Sequence, residues 1–293
     1  MGTLFALLVG FCWAAYNLNV RRGMESMDSG AGYVITLTLG TVANLLWLLL
    51  PLPGRGAPMT HWLGLVCFIL AGFSTTLLGR WVYFKAVKLL GPSRASAWKN
   101  ASPLWTLVFG IIVLGEMPGA LAIAGTATIM GGLWFLSREQ AASVTAVAGG
   151  QVRKAVVLGL ASGAAIAAGM LLRKVGLHYW PDPAAGSVIG GASAMLAYMP
   201  FALVKGEVTG VKKAPWKGVA AFLLAGTFSA LAQLFTFLSL NVSAAATTSV
   251  IAALEPLFTM LLSVIIFKKA ESLNARVIGC AALVCAGVVL VTW

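Results

Sequence analysis

The chain is a succession of long apolar runs, nearly free of charge and separated by short polar stretches, and no other feature constrains its fold as much. A run of about 18–25 apolar residues is long enough to cross the hydrocarbon core as an α-helix. In lipid, an α-helix satisfies every backbone N–H and C=O within its own segment, which an open strand does not. Ten such runs lie between charge and Pro/Gly punctuation: 2–20, 31–52, 62–86, 93–114, 118–136, 155–174, 184–204, 216–239, 244–267 and 273–293. The expected fold class is all-α, a polytopic integral membrane protein with ten transmembrane helices. Charged residues make up only 10% of the chain, against about 25% in soluble domains, so a soluble surface could not be covered. The first run has no basic leader and is followed by Arg21 and Arg22 rather than by a cleavage site, which reads as a retained helix.

The formal charge of +12 does not point to nucleic acid. The Lys and Arg residues cluster between apolar runs, where membrane proteins keep their cytoplasmic loops, so the partner they imply is membrane lipid. The loops after spans 1, 3, 5, 7 and 9 hold 17 of the 20, while Arg55, Arg173 and Lys174 fall on the other side. By the positive-inside rule that places both termini outside the cytoplasm. Arg80, Lys85, Lys88, Arg94 and Lys99 crowd the third and fourth spans, and any that line a cavity do not count toward orientation. Cys12, Cys67, Cys280 and Cys285 sit inside apolar runs without CxxC spacing and give no metal or disulfide signal. HExxH, GxSxG and Walker patterns are absent, and His61 and His178 fall at helix ends, so neither an enzyme nor a cofactor is expected.

The longest polar connector, 137–154, divides the chain into 1–136 and 155–293, and the two parts echo each other. Ser93-Arg94-Ala95-Ser96, then Ser102-Pro103-Leu104 and Gly115-Glu116, is matched by Ser243-Ala244-Ala245-Ala246, then Glu255-Pro256-Leu257 and Ala270-Glu271. Each part would hold five helices. Because five is odd, the second copy enters the membrane from the opposite side, giving two inverted repeats around a central cavity. Gly159 with Gly163, and Gly186 with Gly190, form GxxxG pairs suited to close helix packing.

Phe11-Cys12-Trp13-Ala14-Ala15-Tyr16-Asn17, the stretch from Tyr83 through Gly91-Pro92-Ser93-Arg94-Ala95 to Pro103, Gly115-Glu116 and the Gly125–Gly132 region resemble the drug/metabolite transporter superfamily, and within it the ten-helix EamA-like transporters. That resemblance implies alternating access around a central cavity, with amino acids, other metabolites or drugs as solutes, in a bacterial cytoplasmic membrane. It also implies termini on the cytoplasmic side, opposite to the charge count. The second half departs from the pattern: Lys268-Lys269-Ala270-Glu271 stands in place of a Gly-Glu pair, and no arginine matches Arg94.

Site chemistry is sought where polarity intrudes on apolar runs. An ammonium or carboxylate deep in hydrocarbon costs at least about 2.5–3.5 kcal/mol unless it faces water or a partner. Lys99 and Glu255 are such groups. They can form one ion pair across the repeat interface, act as separate solute contacts, or snorkel from helix ends. Lys99 with Arg94 would hold a carboxylate or phosphate, while Glu255 would take up a proton or hold an amine. Pro103 and Pro256 would free mid-helix carbonyls, as solute contacts or as bends. Tyr16, Asn17, Tyr83 and Trp98 complete the candidate solute-binding set. The expected function is a carrier, in the export direction, of small organic metabolites such as amino acids; the alternative is a carrier of anionic metabolites or lipid-linked phosphate through Arg94 and Lys99. Protons are an optional coupling partner, and a monomer and a homodimer are both compatible with the sequence.

Overall fold

The structure, a computed structural model, describes residues 1–52, 54–90, 98–99, 101–141, 149–267 and 275–292. No strand occurs among them. The helices are α1 (Gly2–Met24), α2 (Ser29–Leu46), α3 (Leu63–Gly72), α4 (Arg80–Leu90), α5 (Ser102–Leu114), α6 (Ala120–Ala141), α7 (Gly149–Tyr179), α8 (Pro183–Val204), α9 (Glu207–Lys213), α10 (Trp216–Val242), α11 (Ala245–Ala252), α12 (Glu255–Phe267) and α13 (Ala275–Thr292). A π-helical stretch, Phe73–Gly79, joins α3 to α4 without a break. Among the described residues, seven helical stretches are long and apolar enough to cross a membrane, and Ser102–Leu114 and Ala120–Gly132 are shorter apolar helices. This is an integral, multi-pass architecture.

Local chemistry sets the helix ends. Asp28 starts α2 by accepting from the Gly30 and Ala31 N–H groups at 2.7 and 3.4 Å, and Asp182 starts α8 by accepting from Ala185 N–H at 3.0 Å. Each carboxylate satisfies N–H groups that have no partner within the helix. At the end of α5, Gly115 takes a left-handed conformation (φ 65°) that side chains resist, and Glu116 N–H bonds back to Gly110 O.

Contacts at the helix ends fix the directions of the helices. Ser239 Oγ, late in α10, donates to Gly2 O at the start of α1, while Gly23 at the end of α1 lies under the Phe222 ring early in α10. These two helices are antiparallel. In the same way α7 runs antiparallel to the α3–α4 rod: Ser162 Oγ donates to Gly79 O, Ser74 Oγ to Ala165 O, and Gly176 lies under Phe68. Lys174, near the end of α7, donates from Nζ to Leu240 O and Ser243 O at the end of α10, both at 2.7 Å. The end of α7 and the start of α1 therefore share one face of the molecule, so α1 and α7 run in opposite directions. Asn44 near the end of α2 donates to Ser187 O near the start of α8, and these two are opposed as well.

Three expectations need correction. The sixth apolar run extends beyond 155–174 to become α7, and Arg173 and Lys174 are helix residues rather than loop charges: Arg173 donates to Thr75 Oγ1, and Lys174 binds the carbonyls above. Charge punctuates most of the apolar runs, but a cation with internal partners need not end a helix. The runs 93–114 and 244–267 are not continuous helices. Instead, Pro103 and Pro256 sit in the first turns of α5 and α12, where a missing N–H breaks no bond within the new helix.

Candidate solute-binding site

The two interruptions are built alike. Before α5 the chain turns at Ala101, and before α12 at Ala253 and Leu254. Proline has no N–H to return to the fourth residue before it, so Lys99 O and Ala252 O lose that helical partner. Each carbonyl lies against a glycine of a crossing helix: a Cβ on Gly163 of α7 would stand 3.0 Å from Lys99 O, and one on Gly10 of α1 would stand 3.2 Å from Ala252 O. The freed carbonyls thus face close backbone packing, not open space.

Side chains at the interruptions converge. Asn17 Nδ2 of α1 donates to Glu255 Oε1 at 2.5 Å, and Lys99 Nζ lies 3.9 Å from the same oxygen. The Lys99 and Glu255 side chains are 21% and 17% exposed, withdrawn yet not sealed. Lys99 Nζ also lies 5.5 Å from the Tyr83 ring centroid. Of the three options left open by the sequence, the geometry is that of an ion pair between the two halves, clamped by an amide from the first helix. Such a cluster pairs a cation with a proton acceptor, the minimum needed to hold a zwitterion or exchange a proton.

Next to this cluster lies a cation that sequence reasoning did not select. Arg80 opens α4, and its guanidinium stacks 4.4 Å over Tyr33 and 5.3 Å over Tyr16. Trp13 meets Tyr16 edge to face at 5.3 Å. A narrow cleft between α1, α2, the π-helical stretch and α10 is lined by Trp13, Tyr33, Thr36, Thr41, Arg80 and Gln233, among others. The signal for Arg80 was its place deep inside an apolar run, hidden because it was grouped with loop charges.

Of the expected site residues, Asn17, Lys99 and Glu255 are in mutual contact through Glu255, Tyr83 is reached by Lys99, and Tyr16 is buried under Arg80. Trp98 is half-buried one residue before Lys99. Arg94 lies outside the described residues. The Gly115-Glu116 pair has a partner far along the chain: Glu116 Oε1 accepts from Ala245 N–H at the start of α11 at 3.1 Å. That contact ties the α5–α6 turn to the second half.

The EamA-like transporter family model matches residues 1–138 and again 153–293. No curated protein matches the chain. One solved structure, described only as the crystal structure of a protein, superposes with a TM-score of 0.74 over 99% of this chain and 98% of its own. The sequence identity is 16%, so the likeness is one of fold.

Proposed function

The chain belongs to the EamA-like transporter family, and from that premise we propose that it exports small organic metabolites such as amino acids by alternating access across a bacterial cytoplasmic membrane. As a member of that family it is a multi-pass membrane transporter of small molecules. Ten crossings in two inverted five-helix repeats are the architecture proposed for it, supported by the opposed directions of α1 and α7 and of α2 and α8. The packing is also reciprocal: α1 lies along α10 as α7 lies along the α3–α4 rod. Two such halves can rock about a fixed midplane site.

The observation that carries the reading is the Asn17–Glu255–Lys99 cluster, assembled from the first helix and both interrupted helices. Its charges sit where rocking of the halves would change their separation. In this reading Glu255 exchanges a proton or holds the solute's amine as Lys99 moves away. Proteoliposome uptake of labelled amino acids, set beside phosphorylated and carboxylate metabolites, tests it. Amino-acid uptake driven by a proton gradient and lost in Glu255→Gln is the expected result; full gradient-driven uptake at an unchanged pH optimum in that variant would refute coupling through Glu255.

A second reading, transport of anionic metabolites, has one observation in its favour: Lys99 and Arg80 lie close enough to act on each other electrostatically, with Glu255 as the paired carboxylate. In the form that uses Arg94 and Lys99, Lys99→Ala abolishes uptake of phosphorylated or carboxylate solutes and spares amino acids.

A further inference from the structure

We propose that Arg80 is the ligand for the solute's carboxylate and that the Gln233 side-chain carbonyl accepts a hydrogen bond from the solute's amine, the two forming one subsite in the cleft beside the Glu255 cluster. The inference rests on the amino-acid reading above and assigns its recognition to particular atoms.

The first support is an unbalanced charge. The cations within the membrane-spanning helices can be compared by what each holds. Lys99 has Glu255, Lys174 has two carbonyls, and Arg173 donates to Thr75 Oγ1. Arg80 has two neutral tyrosines, Tyr33 and Tyr16, whose ring centroids lie 4.4 and 5.3 Å from its guanidinium carbon. Among the described residues no carboxylate pairs with it. Glu207, linked to these rings through Tyr198, accepts from the Tyr198 hydroxyl at 2.7 Å, and Tyr198 stacks edge to face on Tyr33. The Tyr16 and Tyr33 side chains also lie within hydrogen-bonding reach of the guanidinium, but its five N–H donors outnumber what two hydroxyls can accept, which leaves donors for another partner. A planar carboxylate is the two-pronged acceptor that matches a guanidinium fork.

The second support is independent. Most polar side chains around the cleft are committed to the protein: Thr36 Oγ1 donates to Tyr33 O, Thr41 Oγ1 to Leu37 O, and Asn44 both donates to Ser187 O and accepts from Trp47 Nε1. Gln233 differs. Its Oε1 is buried without a hydrogen-bond donor, and Gln233 lines the same cleft as Arg80. Native proteins rarely leave buried acceptors unmade, because each costs desolvation without return. A cation lacking an anion and an acceptor lacking a donor, in one cleft, are the complement of a carboxylate and an amine on one small molecule. Trp13 lines the same cleft, whose free volume is about 30 Å³, so the cleft must widen as a solute larger than water enters.

The test is a binding series by calorimetry on the purified full chain in detergent, with leucine, leucinamide and 4-methylpentanoate, which lacks the amine. Leucine is expected to bind at least about tenfold more tightly than either analogue, since each lost partner strands a buried group. Arg80→Gln should weaken leucine by at least about tenfold and leave leucinamide unchanged. Gln233→Leu should weaken leucine while leaving 4-methylpentanoate unchanged. Equal affinity for leucine and leucinamide in the unsubstituted protein overturns the proposal even if the variants do not fold. Leucine uptake and binding at normal strength in a folded Arg80→Gln protein overturns it while leaving the carrier reading intact. If the unsubstituted protein neither binds nor carries any amino acid, the carrier reading of amino acids fails instead; tight 4-methylpentanoate binding lost in Arg80→Gln would then still support the carboxylate assignment.

Discussion

At the interruption before α5 the chain presents Ser102 and Pro103, with Lys99 a turn earlier; at the interruption before α12 it presents Glu255 and Pro256, with Ala252 a turn earlier. The backbones do the same thing. Each proline begins a new helix, and each freed carbonyl lies against a glycine of the crossing helix, Gly163 in one case and Gly10 in the other. The side chains do opposite things: one interruption supplies an ammonium, the other a carboxylate, and the two meet at 3.9 Å. What the halves share is thus packing, and what they do not share is chemistry. A polar solute needs unlike groups around it, so the departures from symmetry are where function is to be sought.

Removing one partner of the pair should have the largest effect. Glu255→Ala strands the Lys99 ammonium, a change expected to cost about 3–5 kcal/mol of stability and to end transport. Lys99→Met combined with Glu255→Leu should recover most of the lost unfolding temperature but no uptake, separating the chemical role of the pair from its structural one. Next come the shared glycines. Gly163→Ala places a methyl 3.0 Å from a backbone oxygen, against 3.2 Å for Gly10→Ala; each should destabilise by about 1–3 kcal/mol, with Gly163 the worse, as measured by thermal unfolding in detergent. An alanine accepted without loss at either position would break the likeness drawn between the interruptions. The smallest effect is expected at Glu116→Ala, which leaves the Ala245 N–H at the start of α11 without its carboxylate and should cost about 1 kcal/mol, a loss on the scale of an N-cap.

Much of this was legible in the sequence, for a physical reason. Lipid forces a helix wherever an apolar run is long enough, so helix positions follow from composition alone, and a charge within such a run stands out, as Lys99 and Glu255 do. The rest depends on partners that lie far along the chain. Glu116 and Ala245 are 129 residues apart, and no local pattern joins them. Arg173 and Lys174 looked like loop residues because their hydroxyl and carbonyl partners belong to other helices. In the proposed ten-crossing arrangement, withdrawing them, with Arg80 and Lys99, from the loop count leaves Arg55 as the one loop cation counted on the side of the termini, which sharpens the charge asymmetry instead of weakening it. Arg80 was hidden for a further reason: the π-helical stretch before it interrupts the 3.6-residue count by which a buried face is read. The prolines are plain in the sequence, but a kink in a helix and the start of a new one use the same residue, so sequence alone does not tell the two apart.

The central claim is that the place where the interruptions meet is a watery site opened in turn to the two sides of the membrane. Its most direct measurement is thiol labelling of Ser102→Cys, at the start of α5 and three residues after Lys99, in a chain whose Cys12, Cys67, Cys280 and Cys285 have been replaced. With a membrane-impermeant reagent applied to proteoliposomes from one side and then the other, labelling from both sides is expected, with a transported amino acid shifting the rates in opposite directions. Labelling from one side only, or from neither, would contradict it.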